Sequence, residues 1–181
     1  VKGRSQTAPW QVTIDPRIQS QVSNADLEQL SDLAFKTRQD IDSLHRAVNQ
    51  IRGLRANLQT LEKWTSQGSP NSEVVAAAKA LDQKMAPVEE QLIQVKMKSS
   101  EGNLRYPNML NEQYASFNDI ITGVDQAPTA QQQLVYDDLH TRLTAQLGKW
   151  QEIQRTEVPA LNDLMRKNGV PSLTVGDGKG D

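Results

Sequence analysis

The sequence predicts an all-α protein: an antiparallel up-down-up-down four-helix bundle with two long and two shorter helices, plus a short N-terminal strand. Three observations predict it. Apolar residues recur at heptad spacing over long stretches, Gly, Ser, Pro and Asn cluster between these stretches, and aromatic residues make up only 4% of the 181 residues. Short connections between successive helices favour antiparallel neighbours, which gives the up-down order.

The N-terminal segment has a different pattern. From Trp10 to Asp15 apolar and polar residues alternate, and Pro16 ends the run, which is typical of a short strand. Because a lone strand is not stable, it either lies along the helices or, as we favour, is the last strand of an upstream β domain. We therefore divide the chain into a β remnant and linker (1–22), a helical bundle (23–169) and a flexible C-terminal tail (170–181), the last because residues 176–181 are rich in Gly and Asp.

The first long helix is predicted from about Asn24 to about Gln67. Ser23 and Asp26 have the spacing of a capping box, and no Pro interrupts the apolar pattern that follows. The run Gly68-Ser69-Pro70-Asn71 then indicates a helix end and a new start. The predicted stripe of this helix contains Leu27, Leu30, Ala34, Ile41, Leu44, Val48, Ile51 and Leu58, and it is widened by Leu33, Ala47, Leu54 and Leu61.

The second helix has Pro87 inside an unbroken apolar series. Since Pro removes one backbone hydrogen bond, we expect one helix that kinks near Gln83 and Lys84. The irregular residues 99–107 form the longest internal loop. The series contains Val74, Ala78, Leu81, Met85, Val88, Leu92 and Val95.

The third helix is predicted from about Asn108 to about Asp125, and the fourth begins at Pro128-Thr129, where Thr129 and Gln132 again have capping-box spacing. Pro159 interrupts the fourth helix, which ends at Gly169. The third carries Leu110, Tyr114, Phe117, Ile121 and Val124, and the fourth carries Tyr136, Leu139, Leu143, Leu147, Trp150, Ile153, Leu161 and Leu164.

The unequal helix lengths predict a four-helix head and a two-helix stalk. The second and third helices together are about as long as the first or the fourth, so the stalk would contain only the start of the first and the end of the fourth. With these two antiparallel, Arg38 lies level with Val158, and we expect an Arg38 to Glu157 contact in the stalk.

Composition argues against several classes of function. The 20 basic and 22 acidic residues are interspersed and give a formal charge of −2, so nucleic acid and anionic membrane are poor candidates as partners. No apolar run approaches the roughly 18 residues that span a bilayer. Without cysteine the chain offers neither a thiol nucleophile nor a thiolate zinc site.

His45 and His140 are the natural candidates for metal binding or acid/base chemistry. Asp42 and Asp137 precede them by three positions, but a di-iron bundle needs Glu there. Antiparallel long helices place His45 level with about Gln151, roughly 16 Å along the axis from His140, so the two cannot share a metal. We expect both to be ordinary, partly exposed flank residues, and we predict no metal and no cofactor.

Two acidic pairs, Glu89-Glu90 and Asp137-Asp138, are candidates for general acid/base catalysis. Adjacent helix positions point about 100° apart, so at most one of each pair faces inward, and a solvated face is the favoured interpretation. Trp150 is expected to pack in the core, whereas Trp64 either caps the bundle end or marks a binding surface. We therefore predict no catalytic, cofactor-binding or metal-binding residues and no enzyme activity in this chain.

Three runs carry a family resemblance: residues 7–17 (TAPWQVTIDPR), Asp26-Leu27, and residues 44–55 (LHRAVNQIRGLR). They resemble the C-terminal region of bacterial sortilin-like proteins with BNR or YVTN propeller repeats, often labelled glycosyl hydrolases, and the resemblance extends over most of the chain. It implies an Ig-like strand, an Asp-Pro-Arg turn and a helical bundle appended to a propeller. It also implies export, hence a periplasmic, extracellular or outer-surface location.

These observations leave three hypotheses for function. The favoured one is a non-catalytic structural or interaction domain whose partners are upstream propeller or Ig-like domains of the same polypeptide, with a further protein partner possible. The alternative is a small-ligand sensor bundle with a cavity near Pro87 and the 99–107 loop. Hydrolysis by this chain itself is the third and least favoured.

Overall fold

A computed structural model describes residues 5–66 and 72–179. A 3-10 turn lies at Ser100–Leu104, and a π-helical turn at Ile153–Glu157 joins the last two α-helices into one continuous rod, the α4–α5 rod. The described residues contain helices and no strand, so the all-α class is confirmed. The α-helices are α1 (Asn24–Ser66), α2 (Ser72–Leu92), α3 (Leu110–Thr122), α4 (Ala130–Glu152) and α5 (Val158–Lys167).

The strand predicted at 10–15 is not formed in the described residues. Residues 5–15 have no regular secondary structure, and Trp10 and Val12 are 84% and 76% exposed. A strand forms only when its N–H and C=O groups pair with a neighbouring strand, and helices do not offer such groups because theirs are paired internally.

A turn at Asp15 leads the chain into α1. The Asp15 carboxylate accepts hydrogen bonds from the backbone N–H of Arg17 at 2.9 Å and from its guanidinium. The Asp15 carbonyl accepts from Ile18 and Gln19 at 3.0 and 3.1 Å. Pro16 fixes its own φ angle, so the direction from which residues 5–15 approach the bundle is constrained by this turn.

Both predicted capping boxes are confirmed. Before α1, the N–H of Asp26 donates to Ser23 Oγ at 3.2 Å, and the N–H of Ser23 donates to Asp26 Oδ2 at 2.9 Å. Thr129 and Gln132 exchange the same two bonds before α4. Each box satisfies N–H groups that a helix start leaves without intrahelical acceptors. The turn predicted at 68–71 lies outside the described residues.

The buried face of α1 is the seam on which the other helices pack. Its buried positions follow alternating steps of four and three residues from Leu33 to Leu61, which is the 3.5-residue period of a coiled coil. Two positions in this seam, Thr37 and Asp40, are polar. In chain order the seam consists of Leu33, Thr37, Asp40, Leu44, Ala47, Ile51, Leu54, Leu58 and Leu61.

The helix directions differ from the predicted up-down-up-down order. Successive residues along α1 contact residues of decreasing number in α2 and in α3, so both helices are antiparallel to α1. The α4–α5 rod runs parallel to α1, because Asp40 contacts His140 and Gln50 contacts Trp150. The pairs that set the first two directions are Arg52 with Glu89, Arg55 with Asp82, Asp40 with Tyr114, and His45 with Asn111.

The bundle therefore consists of three rods. They are α1, the pair α2 and α3 stacked end to end, and the α4–α5 rod. Along α1, helix α3 begins near the level at which α2 ends. The connection through residues 93–109 lets α3 run in the same direction as α2. The predicted stalk and the Arg38 to Glu157 contact are wrong, since Glu157 instead pairs with Lys84 of α2 at 2.6 Å. A long connection does not impose an antiparallel neighbour.

Two prolines interrupt helices differently. Helix α2 continues through Pro87 and ends at Leu92, so Val95 lies outside it and is 37% exposed. Pro159 follows the π-helical turn, where the N–H of Val158 reaches back to Ile153. Pro lacks an N–H, and the wide turn removes the need for the ordinary bond to the carbonyl four residues earlier.

The π-helical turn also changes which residues are buried. After Ile153 the heptad step of four would bury Glu157, but the extra residue moves burial to Val158. The stripe then continues through Leu161 and Met165, whereas the predicted Leu164 is only half-buried. The turn thus keeps a carboxylate out of the core.

Residues 170–179 return along α1. Val170, Leu173 and Val175 pack against the core, and Asn49 and Gln50 donate hydrogen bonds to the carbonyls of Gly178 and Gly176. These contacts were not predicted, since the composition led us to expect a flexible tail at 170–181.

Replacing Leu54 in the seam by Ala tests the packing. Leu54 is 1% exposed, so its truncation leaves a cavity, and we expect the free energy of unfolding to fall by about 2–5 kcal/mol. Leu134→Ala is the control, because Leu134 is 68% exposed and the expected change is within about 0.5 kcal/mol. Urea titrations followed by circular dichroism measure the stability of both variants. Equal losses of stability would contradict the burial of Leu54 in the seam.

Candidate functional site

A group of four polar side chains lies where α1, α3 and α4 meet, and we call it the Asp40 cluster: Asp40, Tyr114, Tyr136 and His140. Asp40 Oδ2 accepts from the Tyr114 hydroxyl at 2.8 Å and lies 2.9 Å from Nδ1 of His140. The Tyr136 ring stacks on His140, with centroids 5.6 Å apart. A carboxylate placed in an apolar seam thus finds donors from two other helices, as buried charge requires.

Burial changes the acidity of the two tyrosines. Desolvation, together with the nearby Asp40 carboxylate, raises the pKa of Tyr136 to about 12. The same causes, with the direct hydrogen bond to Asp40, raise the pKa of Tyr114 further. Both phenols therefore stay protonated well into the alkaline range, and the Tyr114 hydroxyl remains a donor to Asp40 there.

The Asp40 cluster ties three helices together at one level. Asp40 on α1 can satisfy Tyr114 and His140 together only when α3 and α4 have their present registers. We assign it a structural role on this geometry, because its hydrogen bonds connect cluster members to each other. Asp40 is not among the residues predicted from the apolar pattern, because it is polar, although its position in the 3.5-residue repeat indicates that it faces the core.

A second polar group, the arginine cluster, joins α1 to α2 and consists of Arg52, Arg55, Asp82 and Glu89. The Glu89 side chain is 5% exposed and accepts from Arg52 at 2.7 Å and Arg55 at 2.6 Å. Asp82, bonded to Arg55 at 2.7 Å, is the main cause of a raised Arg55 pKa. The solvated-face interpretation is therefore wrong for Glu89, which is buried and paired.

The remaining candidates from the sequence are separated from one another. His45 bonds to Asn111 of α3 at 2.7 Å, whereas His140 belongs to the Asp40 cluster. The Asp40–His140 and Gln50–Trp150 contacts place His45 level with about Ala145, so the predicted level with Gln151 is wrong. Asp42, Glu90, Asp137 and Asp138 are exposed. Among the described residues no three His, Asp or Glu side chains are grouped so that they could hold a metal ion.

The tryptophans have distinct environments. Trp150 is buried as expected, and its indole N–H also donates to Gln50 Oε1 at 2.9 Å. Trp10 is almost fully exposed. The side chain of Trp64, for which a cap or a binding surface was predicted, lies outside the described residues.

Exposed apolar side chains form a groove between α3 and α4, in the half of the bundle where α1 begins. This groove, the α3–α4 groove, has a volume of about 530 Å³. Ile120, Leu134 and Val135 on its walls are 60%, 68% and 47% exposed, and Phe117 and Leu139 form its floor. Clustered exposed apolar residues of this kind are typical of contact surfaces.

Comparison with known proteins identified no relative: no family model, curated protein or solved structure matches the chain. Within the described residues no helix combines the length and apolar character needed to cross a membrane.

Alkaline titration tests the Asp40 cluster. The chain has three tyrosines, and we expect two of them to resist ionisation in the folded protein until about pH 12 or above. A raised folded pKa stabilises the protein fully below the unfolded value of about 10, and that contribution is lost as the pH rises through the folded value. Phenolate absorbance measures this, with the chain unfolded in guanidinium as control. Three tyrosines ionising together near pH 10 in the folded chain would contradict the burial.

Replacing Tyr114 by Phe removes one donor to Asp40. Loss of a hydrogen bond to a charged, buried acceptor should lower the free energy of unfolding by about 1.5–3 kcal/mol. Tyr106→Phe is the matched control, because it deletes the same hydroxyl outside the cluster. Urea unfolding measures the stability of the two variants. If Tyr114→Phe lowers the free energy of unfolding no more than the control does, the hydrogen bond to Asp40 does not fix the position of α3 along α1.

Proposed function

We propose that this chain is a non-catalytic structural and interaction module, joined through residues 5–22 to a β domain of the same polypeptide. The observation that carries this proposal is the exposure of Trp10 and Val12, which belong to a segment without regular secondary structure next to the turn at Asp15. Exposed side chains of this size gain about 1.5–3 kcal/mol each when a partner buries them. An adjoining domain is the nearest surface that could do so.

The absence of enzyme activity is part of the same proposal. The buried ionisable groups that we describe, Asp40 and Glu89, are each engaged by groups of neighbouring helices. The Tyr114 hydroxyl and His140 both contact the Asp40 carboxylate, so the polar groups of this cluster are engaged with one another. These features support a scaffold whose polar groups fix its own helices.

The resemblance to sortilin-like propeller proteins supports the identity of the partner. It implies that the upstream part is a propeller or Ig-like domain and that the whole protein is exported to the periplasm, cell surface or medium. The α3–α4 groove lies in the half of the bundle nearest the entry of the chain, which suits a contact with that domain. We propose this location and these partners on that basis.

Truncating Trp10 and Val12 together tests the proposal. In the chain itself Trp10→Ala with Val12→Ala should change the free energy of unfolding by less than about 0.5 kcal/mol, since both side chains are exposed. In a polypeptide extended upstream along its gene, the same pair should increase protease cleavage between residues 5 and 22. Leu104→Ala, also at an exposed residue, is the control and should leave cleavage unchanged. Equal cleavage of all three proteins, or glycosidase turnover by the isolated chain, would overturn the proposal.

A small-ligand sensor is the second candidate, and a groove beside Pro87 favours it. Residues of α2 and the α4–α5 rod, among them Pro87, Val88 and Ile153, line a groove of about 640 Å³ there. A ligand held in this groove should raise the melting temperature of the chain. That rise should disappear when Gln91→Trp fills the groove and persist in Gln113→Trp, which alters the α3–α4 groove instead.

A further inference from the structure

The segment that follows α5 reverses direction and lies on the bundle, and we call residues 170–179 the C-terminal strap. Gly169 has a φ of +69°, and the N–H of Val170 donates to the carbonyl of Met165 at 2.8 Å. Together with a bond from Gly169 to Arg166 these contacts form a Schellman motif, which ends α5 and directs the chain back toward α1.

Three side-chain amides of the bundle hold the backbone of the strap. Asn162 accepts from the N–H of Leu173 at 2.7 Å and donates to its carbonyl at 2.9 Å, as a neighbouring strand would. Gln50 donates to the carbonyl of Gly176 and Asn49 to that of Gly178, each at 3.1 Å. The strap is thus held largely through groups that any extended peptide possesses.

The side-chain amide of Gln50 is held in one orientation by contacts that do not involve the strap. Its Oε1 accepts from the indole N–H of Trp150 at 2.9 Å and from Gln154 at 3.3 Å. An indole N–H can only donate, so the carbonyl side of Gln50 must face Trp150 and the NH₂ side must face outward. A fixed donor on the surface of α1 is a feature of a binding site that is formed in advance.

The strap also contains one position that only glycine fits. Gly178 has a φ of +73°, and a Cβ atom there would lie 2.5 Å from the carbonyl oxygen of Arg46 and 2.9 Å from Gln50 Cγ. A Cβ at Gly176, in contrast, would meet nothing within 4 Å. The site therefore discriminates between two glycines that lie two residues apart.

We propose that the surface carrying Asn49, Gln50 and Asn162 is a binding site for an extended, glycine-containing peptide, which the C-terminal strap occupies in cis and can leave. Ordering ten residues costs conformational entropy that offsets most of what the hydrogen bonds and three partly buried apolar side chains contribute. The docked strap is then favoured by only a modest free energy, so a competing peptide of the same chemistry can displace it.

A labelled peptide of residues 170–179 tests this site in the full chain. The chain carries Leu173→Asp and Gly178→Val in its own strap, which empties the site and leaves Asn49, Gln50 and Asn162 in place. The peptide should bind this variant saturably in fluorescence anisotropy and bind the unaltered chain at least about tenfold more weakly, because its site is filled. No binding to a variant whose circular dichroism is unchanged would overturn the proposal.

Two altered peptides test whether the contacts of the strap are the ones used. Gly178→Ala in the peptide should weaken binding about tenfold or more, whereas the matched Gly176→Ala should stay within about threefold of the original. Equal affinities of the Gly178→Ala and Gly176→Ala peptides would show that the peptide binds without the close approach at Gly178, and would count against the site.

Hydrogen exchange in the unaltered chain decides the matter if the double variant does not fold. The N–H of Leu173 should exchange much faster than that of Leu54 in α1, because the strap leaves the surface without unfolding the bundle. If both amides exchange only with global unfolding, the strap is a fixed part of the fold and the proposal is wrong.

Discussion

The seam of α1 is the constraint on which the rest of this structure depends. Nine positions from Leu33 to Leu61 follow the 3.5-residue repeat without a break, and α2, α3 and α4 all pack on this helix. A helix of 43 residues can be covered along its length by two shorter helices in succession. The three-rod arrangement follows from this, because α2 and α3 share the length that one partner helix would otherwise cover.

The polar residues of α1 determine how each partner is placed along the seam. Asp40 fixes the level of α3 and α4, Arg52 and Arg55 fix that of α2 through Glu89, and Gln50 connects the α4–α5 rod to the C-terminal strap. Apolar seams with a regular repeat permit sliding by one heptad, since leucine packs similarly at each step. A buried carboxylate permits no such freedom, because a shift would leave it without its donors.

This use of polar chemistry bears on function. The buried charged groups bind helices to one another, while exposed apolar side chains cluster in the α3–α4 groove and on residues 5–15, and others, such as Phe35 and Leu104, are exposed singly elsewhere. The two surfaces that we propose for contact are an apolar groove and, beneath the C-terminal strap, a set of side-chain amides that bond to backbone. Both are suited to protein segments more than to small charged substrates.

The sequence by itself determined the helical class, both capping boxes and most of the seam, because these depend on residues at most a few positions apart. It did not determine the helix directions, the environment of Asp40 or the docking of the strap. Those depend on which distant residues meet: the 93–109 connection is long enough for either direction of α3, and one extra residue in the π-helical turn moves burial from Glu157 to Val158. The alternation at 10–15 predicted a strand that the described residues do not form, since a strand needs a partner and local pattern cannot supply one.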